Sequence, residues 1–192
     1  RGDTVGVLMG KREELVVSLL AIARLGAVYI PLFTAFATPP AIEMRLRAGN
    51  AKVVITEPSQ ASKLDGIDDV QAIIAGDQFE ELISSHEPIA ESVAVGGDGT
   101  LILLFTSGTT GAPKGVPVPV RALASFVAYM HYGLDVRDDD VFWNAADPGW
   151  AYGLYYGILG PLATGHRNLL LHAGFSPPEL TAQILGGLGV TN

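Results

Sequence analysis

Short apolar runs alternate with longer amphipathic stretches through the first half of the chain. Apolar runs bounded by turn residues predict strands, and apolar residues that recur every three or four positions predict helices. The predicted strands are residues 4–9, 27–31, 52–56, 70–75 and 101–105. The predicted helices are residues 11–25, 39–48 and 77–86. Strands that alternate with helices are typical of crossover units, which predicts an α/β fold of largely parallel sheets flanked by helices.

The second half continues this alternation. Residues 116–120 contain two prolines, so this segment is predicted to be extended but not to be a central strand. Strands are predicted for residues 140–145 and 168–172 and from residue 189 onward, and helices for residues 121–132 and 179–188. A further helix is predicted to begin near Trp150 and to end within residues 157–165. Glycines at positions 96, 97 and 99 predict a boundary between a first α/β lobe, residues 1–95, and a second lobe, residues 96–192.

The apolar residues 101–105 run directly into a loop, residues 106–115, that is rich in glycine and hydroxyl side chains. This apolar run predicts a fully buried strand, whose loop leaves the sheet at the edge where ligands commonly bind. Gly108, Gly111 and Gly115 lack a Cβ, so the backbone can approach a ligand and present its N–H groups to an anion. Lys114 adds a mobile positive charge that suits a polyphosphate. The alternative interpretation is a flexible glycine-rich hairpin turn with an exposed lysine.

The loop is not a Walker A motif. In that motif a lysine directly follows the last glycine, and a serine or threonine comes next at the start of a helix. Here Ala112 and Pro113 separate Gly111 from Lys114, and Gly115 follows. Phosphate binding must therefore be of another type.

Composition restricts the classes of partner. A formal net charge of -8 argues against nucleic acid, whose phosphates require a basic surface. The chain has no cysteine, which excludes disulfides and thiolate metal sites and favours a cytoplasmic protein. Its four histidines lack the spacing of a zinc site, so no metal ligands are predicted. No apolar run is long enough for a membrane span.

The string FTSGTTGAPKGV, residues 105–116, closely resembles the signature loop of the adenylate-forming synthetases, a family of acyl-CoA synthetases, luciferases and peptide-synthetase adenylation domains. Residues 2–31 resemble the opening part of the same family more loosely. One departure is Val120, where many relatives have a histidine. The resemblance implies that the loop holds the ATP phosphates and that Lys114 is catalytic, because it offsets charge on the departing pyrophosphate. The implied phosphate-binding residues are Thr106, Ser107, Gly108, Thr109, Thr110, Gly111 and Lys114.

A second segment, ADPGWAYG at residues 146–153, is dense in aromatic and turn residues. By itself, such an aromatic cluster is more often core packing than a ligand site. The segment is similar, however, to one in acetyl-CoA synthetases and some medium-chain relatives, which implies that Trp150, Ala151, Tyr152 and Gly153 line the acyl pocket. The same resemblance implies a weaker role for Arg45 in holding the nucleotide of coenzyme A.

The resemblance implies a two-step reaction with ATP, Mg²⁺ and coenzyme A. A short or medium-chain carboxylic acid, with acetate favoured, forms an acyl-adenylate, and a thiol then displaces AMP. The chain begins at Arg1 without a methionine and lacks the family's later motifs. We therefore expect a piece of a longer enzyme that needs the rest of its own polypeptide and is inactive alone.

Two alternatives stay open at this point. The parent protein could be an adenylation domain that loads a carrier protein instead of coenzyme A. It could also be a non-catalytic nucleotide or phosphate binder that keeps the loop only as scaffold. Oligomeric state and acyl chain length do not follow from the sequence.

Overall fold

A six-stranded sheet lies at the centre of the structure, a computed structural model that describes residues 1–35, 38–106, 113–172 and 177–192. Its strands are β1 (Thr4–Leu8), β2 (Val28–Pro31), β3 (Ala51–Thr56), β4 (Gln71–Ile74), β5 (Thr100–Thr106) and β6 (Lys114–Pro119). Their order is β4-β3-β1-β2-β5-β6. The first five are parallel and β6 is antiparallel to β5. Both prolines of β6 therefore lie on an edge strand, where a missing N–H costs little.

Helices cover both faces of this sheet. The α-helices among the described residues are α1 (Glu13–Arg24), α2 (Pro39–Ala48), α3 (Asp77–Ser84), α4 (Ala122–Tyr132), α5 (Ala151–Leu154), α6 (Gly160–Thr164) and α7 (Pro178–Gly187), of which α7 has no buried residue. Because side chains alternate along a strand, neighbouring residues belong to opposite cores. Val7 packs with Leu15 and Leu19 of α1, together with side chains of α3, α4 and α5, whereas Leu8 packs with Ile42 of α2.

A smaller parallel sheet pairs β7 (Val141–Trp143) with β8 (Arg167–Leu169). The last residues of the chain lie along the other side of β7. The Thr191 N–H donates to the carbonyl of Val141 at 3.0 Å, and the Trp143 N–H donates to the carbonyl of Asn192 at 2.9 Å. The strand predicted from residue 189 onward is thus an extended segment beside β7, although it does not form a regular strand.

The α/β fold and its largely parallel sheet are confirmed, and one detail of the predictions is wrong. Strand β5 is not fully buried, since only Leu101 and Ile102 are buried and the side chains after them are partly or fully exposed. The helix predicted to begin near Trp150 and to end within residues 157–165 is present, and a π-helical turn, Tyr155–Leu159, joins α5 to α6 within it. The helical stretch ends at Gly165, which has a left-handed φ of 74°.

The predicted boundary near residue 96 stays a prediction. Strand β5, which follows it, continues the sheet through the pair of Tyr29 and Ile102. In the described parts of the chain, no helix has the length and apolar character that crossing a membrane requires.

Candidate functional site

A cavity of about 420 Å³ opens beyond the carboxyl ends of β2 and β5. Four segments enclose it: the exit of β2, helix α2, the end of β5, and the turn before α5. The lining residues are Pro31, Leu32, Phe33, Ala41, Ile42, Arg45, Leu104, Phe105, Thr106, Gly149, Trp150 and Ala151. Open α/β sheets bind ligands at the carboxyl ends of their strands, and mostly apolar walls with a few polar groups are typical of small-molecule sites.

Four of the residues singled out by the sequence meet at this cavity, although they are far apart in the chain. Thr106 ends β5, Arg45 lies on α2, and Trp150 and Ala151 begin the α5 region. Arg45 is half-buried, and its Nη1 donates to the carbonyl of Ala41 at 2.8 Å. Among the described lining residues, Arg45 is the one with a charged side chain. The cavity thus combines apolar walls with one cation that could face an anionic ligand.

The two ends of the glycine-rich loop lie side by side. Thr106 is opposite Lys114 in the register of β5 and β6, and both side chains are exposed. The loop between them therefore starts at the cavity and returns next to it. Ser107, Gly108, Thr109, Thr110 and Gly111 lie outside the described residues, so their predicted contacts with phosphate stay a prediction.

Tyr152 and Gly153 do not line the cavity. The ring of Tyr152 packs against that of Tyr156, with centroids 5.1 Å apart. Gly153 is buried, and a Cβ there would collide with the backbone carbonyl of Asp147. Their substrate role stays a prediction, and the described contacts give Gly153 a packing role beneath the Trp150 turn.

Close backbone contact brings Trp150 to the cavity. A Cβ on Gly149 would lie 2.5 Å from the carbonyl oxygen of Leu32, so only glycine allows the turn to rest on the exit of β2. The ring of Trp150 then meets that of Phe33, with centroids 5.9 Å apart. The sequence analysis did not select Phe33 or Gly149 for the site, although the Asp-Pro-Gly turn was a signal for Gly149.

A buried polar group supports the same turn. Thr34 donates a hydrogen bond to one carboxylate oxygen of Asp147, and the N–H of Gly149 donates to the other at 2.7 Å. Burial raises the pKa of Asp147, while these hydrogen bonds and the charge of Lys11 oppose that rise. Burial also lowers the pKa of Lys11, which donates to the backbone carbonyl of Asn144. No sequence pattern pointed to these side chains, because their partners are more than a hundred residues away in the chain.

A second polar cluster lies at the same edge of the sheet. Glu57 is buried after β3 and accepts from Ser59 at 2.8 Å, and His172 lies 3.2 Å from its other oxygen. Arg12 pairs with Glu14 nearby at 2.8 Å. Each side chain of this cluster has a partner within the protein, so a structural role accounts for His172.

The described residues fit the anionic parts of ATP and coenzyme A. Thr106 and Lys114 could donate to phosphate oxygens, and Arg45 places a guanidinium on the cavity wall. Magnesium is different, because residues 1–35, 38–106, 113–172 and 177–192 contain no group of three or more His, Asp or Glu side chains arranged to hold a metal ion. We therefore derive no step through Mg²⁺ from these residues.

Comparison with known proteins agrees with this geometry. The sequence profile described as "AMP-binding enzyme" matches residues 1–191. The acetyl-coenzyme A synthetase of Bacillus subtilis (strain 168) is 32% identical over 189 residues, a match that covers 92% of this chain and 33% of that protein. The acetyl-coenzyme A synthetase of Shewanella pealeana is 35% identical over 207 residues and is covered to 31%.

Structural similarity is closer still. The crystal structure of an acyl-CoA synthetase from Brucella canis superimposes with a TM-score of 0.90 and 43% sequence identity, covering 99% of this chain and 36% of that one. The chain thus spans about a third of the length of the relatives it matches. Because the family profile extends over nearly all of its residues, this chain belongs to the AMP-binding, adenylate-forming enzyme family, as its signature loop indicated.

Proposed function

We propose that this chain supplies the phosphate-binding loop and part of the acid- and thiol-binding cavity of an AMP-forming acyl-CoA synthetase. The substrates are ATP, coenzyme A and a short or medium-chain carboxylic acid, with acetate favoured. The observation that carries the proposal is the convergence of Thr106, Arg45 and Trp150 on one cavity at the carboxyl edge of the sheet. That convergence supports a polyphosphate site beside an apolar wall.

The proposed chemistry has two steps. First, a carboxylate oxygen attacks the α-phosphorus of ATP, and the bond from that phosphorus to the bridging oxygen breaks, so pyrophosphate leaves. Next, the sulfur of coenzyme A attacks the acyl carbon of the adenylate, the bond to the AMP oxygen breaks, and the thiol proton is released. No described side chain has to act as nucleophile or base. The contribution of this chain is positioning and electrostatic stabilisation.

Lys114 tests the phosphate part of this proposal. Its exposed ammonium, at the end of the loop, is proposed to offset the negative charge that gathers on departing pyrophosphate. We expect Lys114→Ala in the full-length polypeptide to lower the rate of acid-dependent pyrophosphate exchange by on the order of a hundredfold. Lys52→Ala is the control. Lys52 is also exposed, but it lies at the start of β3, at the amino end of the parallel strands and away from the cavity. Equal rates for the two variants would contradict the proposal.

Trp150 tests the apolar wall. Its side chain is 59% exposed in this structure and meets only Phe33 among the described aromatic rings, so it has free surface for a ligand. We expect Trp150→Ala to raise the KM for the acid or for coenzyme A roughly tenfold, since burying an aromatic ring contributes about 1.5–3 kcal/mol. The control is Tyr132→Ala on α4, where the side chain is 86% exposed and lies outside the cavity. If the KM values for both substrates are unchanged, Trp150 does not contact either substrate and the proposal is contradicted at this residue.

The two alternatives have distinct outcomes. If the thiol belongs to a carrier protein, the full-length polypeptide forms the adenylate but does not transfer the acyl group to free coenzyme A. If the loop is only scaffold, Lys114→Ala does not change the affinity for ATP measured by calorimetry. The cytoplasmic location and the need for Mg²⁺ stay predictions.

A further inference from the structure

Few packing contacts hold the side chain of Trp150 in place. More than half of its side chain is exposed, and Phe33 is its aromatic neighbour. Its position is therefore set by the backbone of the turn before it, residues 144–150, which we call the Trp150 turn. Whatever fixes this turn also fixes one wall of the cavity.

Asp147 fastens the Trp150 turn in two directions. One carboxylate oxygen accepts from the N–H of Gly149 and closes the turn on itself, and the Asp147 carbonyl accepts from the N–H of Trp150 at 3.0 Å. The other oxygen accepts from the hydroxyl of Thr34, which follows β2. Asp147 thus links the Trp150 turn to the exit of β2, the cavity wall on which this turn rests.

Lys11 fastens the start of the same turn. It is only 9% exposed, follows β1, and donates to the carbonyl of Asn144. The side chain of Asn144 in turn accepts from the N–H of Ala146 at 2.8 Å. A buried ammonium is costly unless its charge is matched, and the charge of Asp147 provides part of that match. The mechanism above uses neither charge.

Thr34 is itself held from the other side. Its backbone carbonyl accepts from the ammonium of Lys63 at 2.7 Å. The residue whose hydroxyl reaches Asp147 is therefore itself held by a hydrogen bond to its backbone. A chain of contacts runs from the loop after β2, through Thr34 and Asp147, to the backbone of Trp150.

We propose that Thr34, Asp147 and Lys11 are positioning residues that hold the Trp150 turn against the exit of β2 and thereby fix the place of Trp150 in the cavity wall. The effect on substrates rests on the proposed function, whereas the effect on Trp150 does not. None of the three side chains lines the cavity, so each acts through Trp150.

The test compares Thr34→Val, which removes the hydroxyl at nearly constant volume, with Thr34→Ser, which keeps it. Thr4→Val is the matched control, because Thr4 also donates a side-chain hydrogen bond, to the carbonyl of Gly49 at 2.6 Å, but from the start of β1. All variants are made in the full-length polypeptide. The fluorescence of Trp150 is isolated by subtracting spectra of the same variants that also carry Trp150→Phe.

We expect Thr34→Val to shift the emission of Trp150 and change its quenching by acrylamide, and to lower kcat/KM for the acid roughly tenfold or more, mainly through KM. Thr34→Ser and Thr4→Val should match the unsubstituted protein in both readouts. Equal thermal midpoints for Thr34→Val and Thr4→Val exclude general destabilisation as the cause. If Thr34→Val leaves the emission and quenching of Trp150 unchanged, the proposal is overturned.

A double-mutant cycle with Asp147→Ala gives a second measurement. Because Thr34 and Asp147 share one hydrogen bond, their effects on the quenching of Trp150 should not add. Additive effects would show that the two residues act independently and would also overturn the proposal. The two proposals can fail separately. If the full-length polypeptide has no acyl-CoA synthetase activity but Thr34→Val still displaces Trp150, the proposed function is contradicted and the positioning role is supported.

Discussion

Asp147 is a buried carboxylate whose hydrogen bonds support the Trp150 turn, although burial disfavours its charged form. Desolvation raises its pKa, and the Thr34 hydroxyl, the Gly149 N–H and the charge of Lys11 only oppose that rise. The carboxylate is retained in an unfavourable site because it accepts two hydrogen bonds that a nonpolar residue could not accept. At the scale of the residue, the site is arranged around this one polar anchor.

The raised pKa of Asp147 predicts a pH dependence of stability. Between the ordinary pKa of the carboxyl and its raised value, the folded state keeps a proton that the unfolded state has released. Raising the pH through that window therefore lowers the free energy of unfolding. Asp147→Asn cannot titrate, so the stability of this variant relative to the unsubstituted protein should rise with pH across the window. Urea unfolding at a series of pH values measures this difference, and a constant or falling difference would contradict the prediction.

Strand β5 links the core to the site at the scale of the element. Its first half is buried, with Ile102 fully buried, and its second half carries Leu104, Phe105 and Thr106 to the cavity. Strand β6 pairs with it along nearly its whole length and keeps the other end of the loop next to Thr106. The hairpin is therefore fixed by burial at one end and free to bind at the other.

Ile102 and Val116 test that division of the hairpin. Ile102→Ala removes a fully buried side chain and should lower the free energy of unfolding by about 2–5 kcal/mol. Val116→Ala, in the paired strand, removes a side chain that is 43% exposed and should change it by less than about 0.5 kcal/mol. Chemical denaturation of both variants measures the contrast. Similar losses would mean that the hairpin is not anchored through Ile102.

At the scale of the whole molecule, distant stretches form one cavity because crossover connections bring the carboxyl ends of β2 and β5 to the same side of the sheet, with Arg45 on the helix between β2 and β3. Trp150 joins them because Gly149 packs against the exit of β2. The chain nevertheless spans only about a third of its relatives.

We predict that this chain by itself does not catalyse pyrophosphate exchange with acetate and ATP. Catalytic groups that act together lose most of their effect when some are missing. An exchange assay on the isolated chain, beside the full-length polypeptide as positive control, measures this. Clear activity of the isolated chain would overturn the prediction and require all essential groups to lie within these residues.

Much of this could be predicted from local order in the sequence. Apolar periodicity gave the strands and helices, because a buried strand or helix face must be apolar wherever it lies. The signature loop and the Trp150 segment indicated the family and pointed to Thr106 and Trp150, and a resemblance at its own position pointed more weakly to Arg45. Because a motif consists of residues close together in the chain, it can be recognised without knowledge of the fold.

Only the tertiary structure decided which of these residues share a cavity and what holds them there. Tyr152 and Gly153 belong to the same motif as Trp150, yet one packs on Tyr156 and the other under the turn, because successive residues of a helix point in different directions. The anchors of the turn, Lys11 and Thr34, carry no motif, since their partners are distant in sequence and meet them only after the sheet has formed. The sequence thus determined the elements and the family, because both depend on local patterns, and long-range packing determined which residues share the cavity.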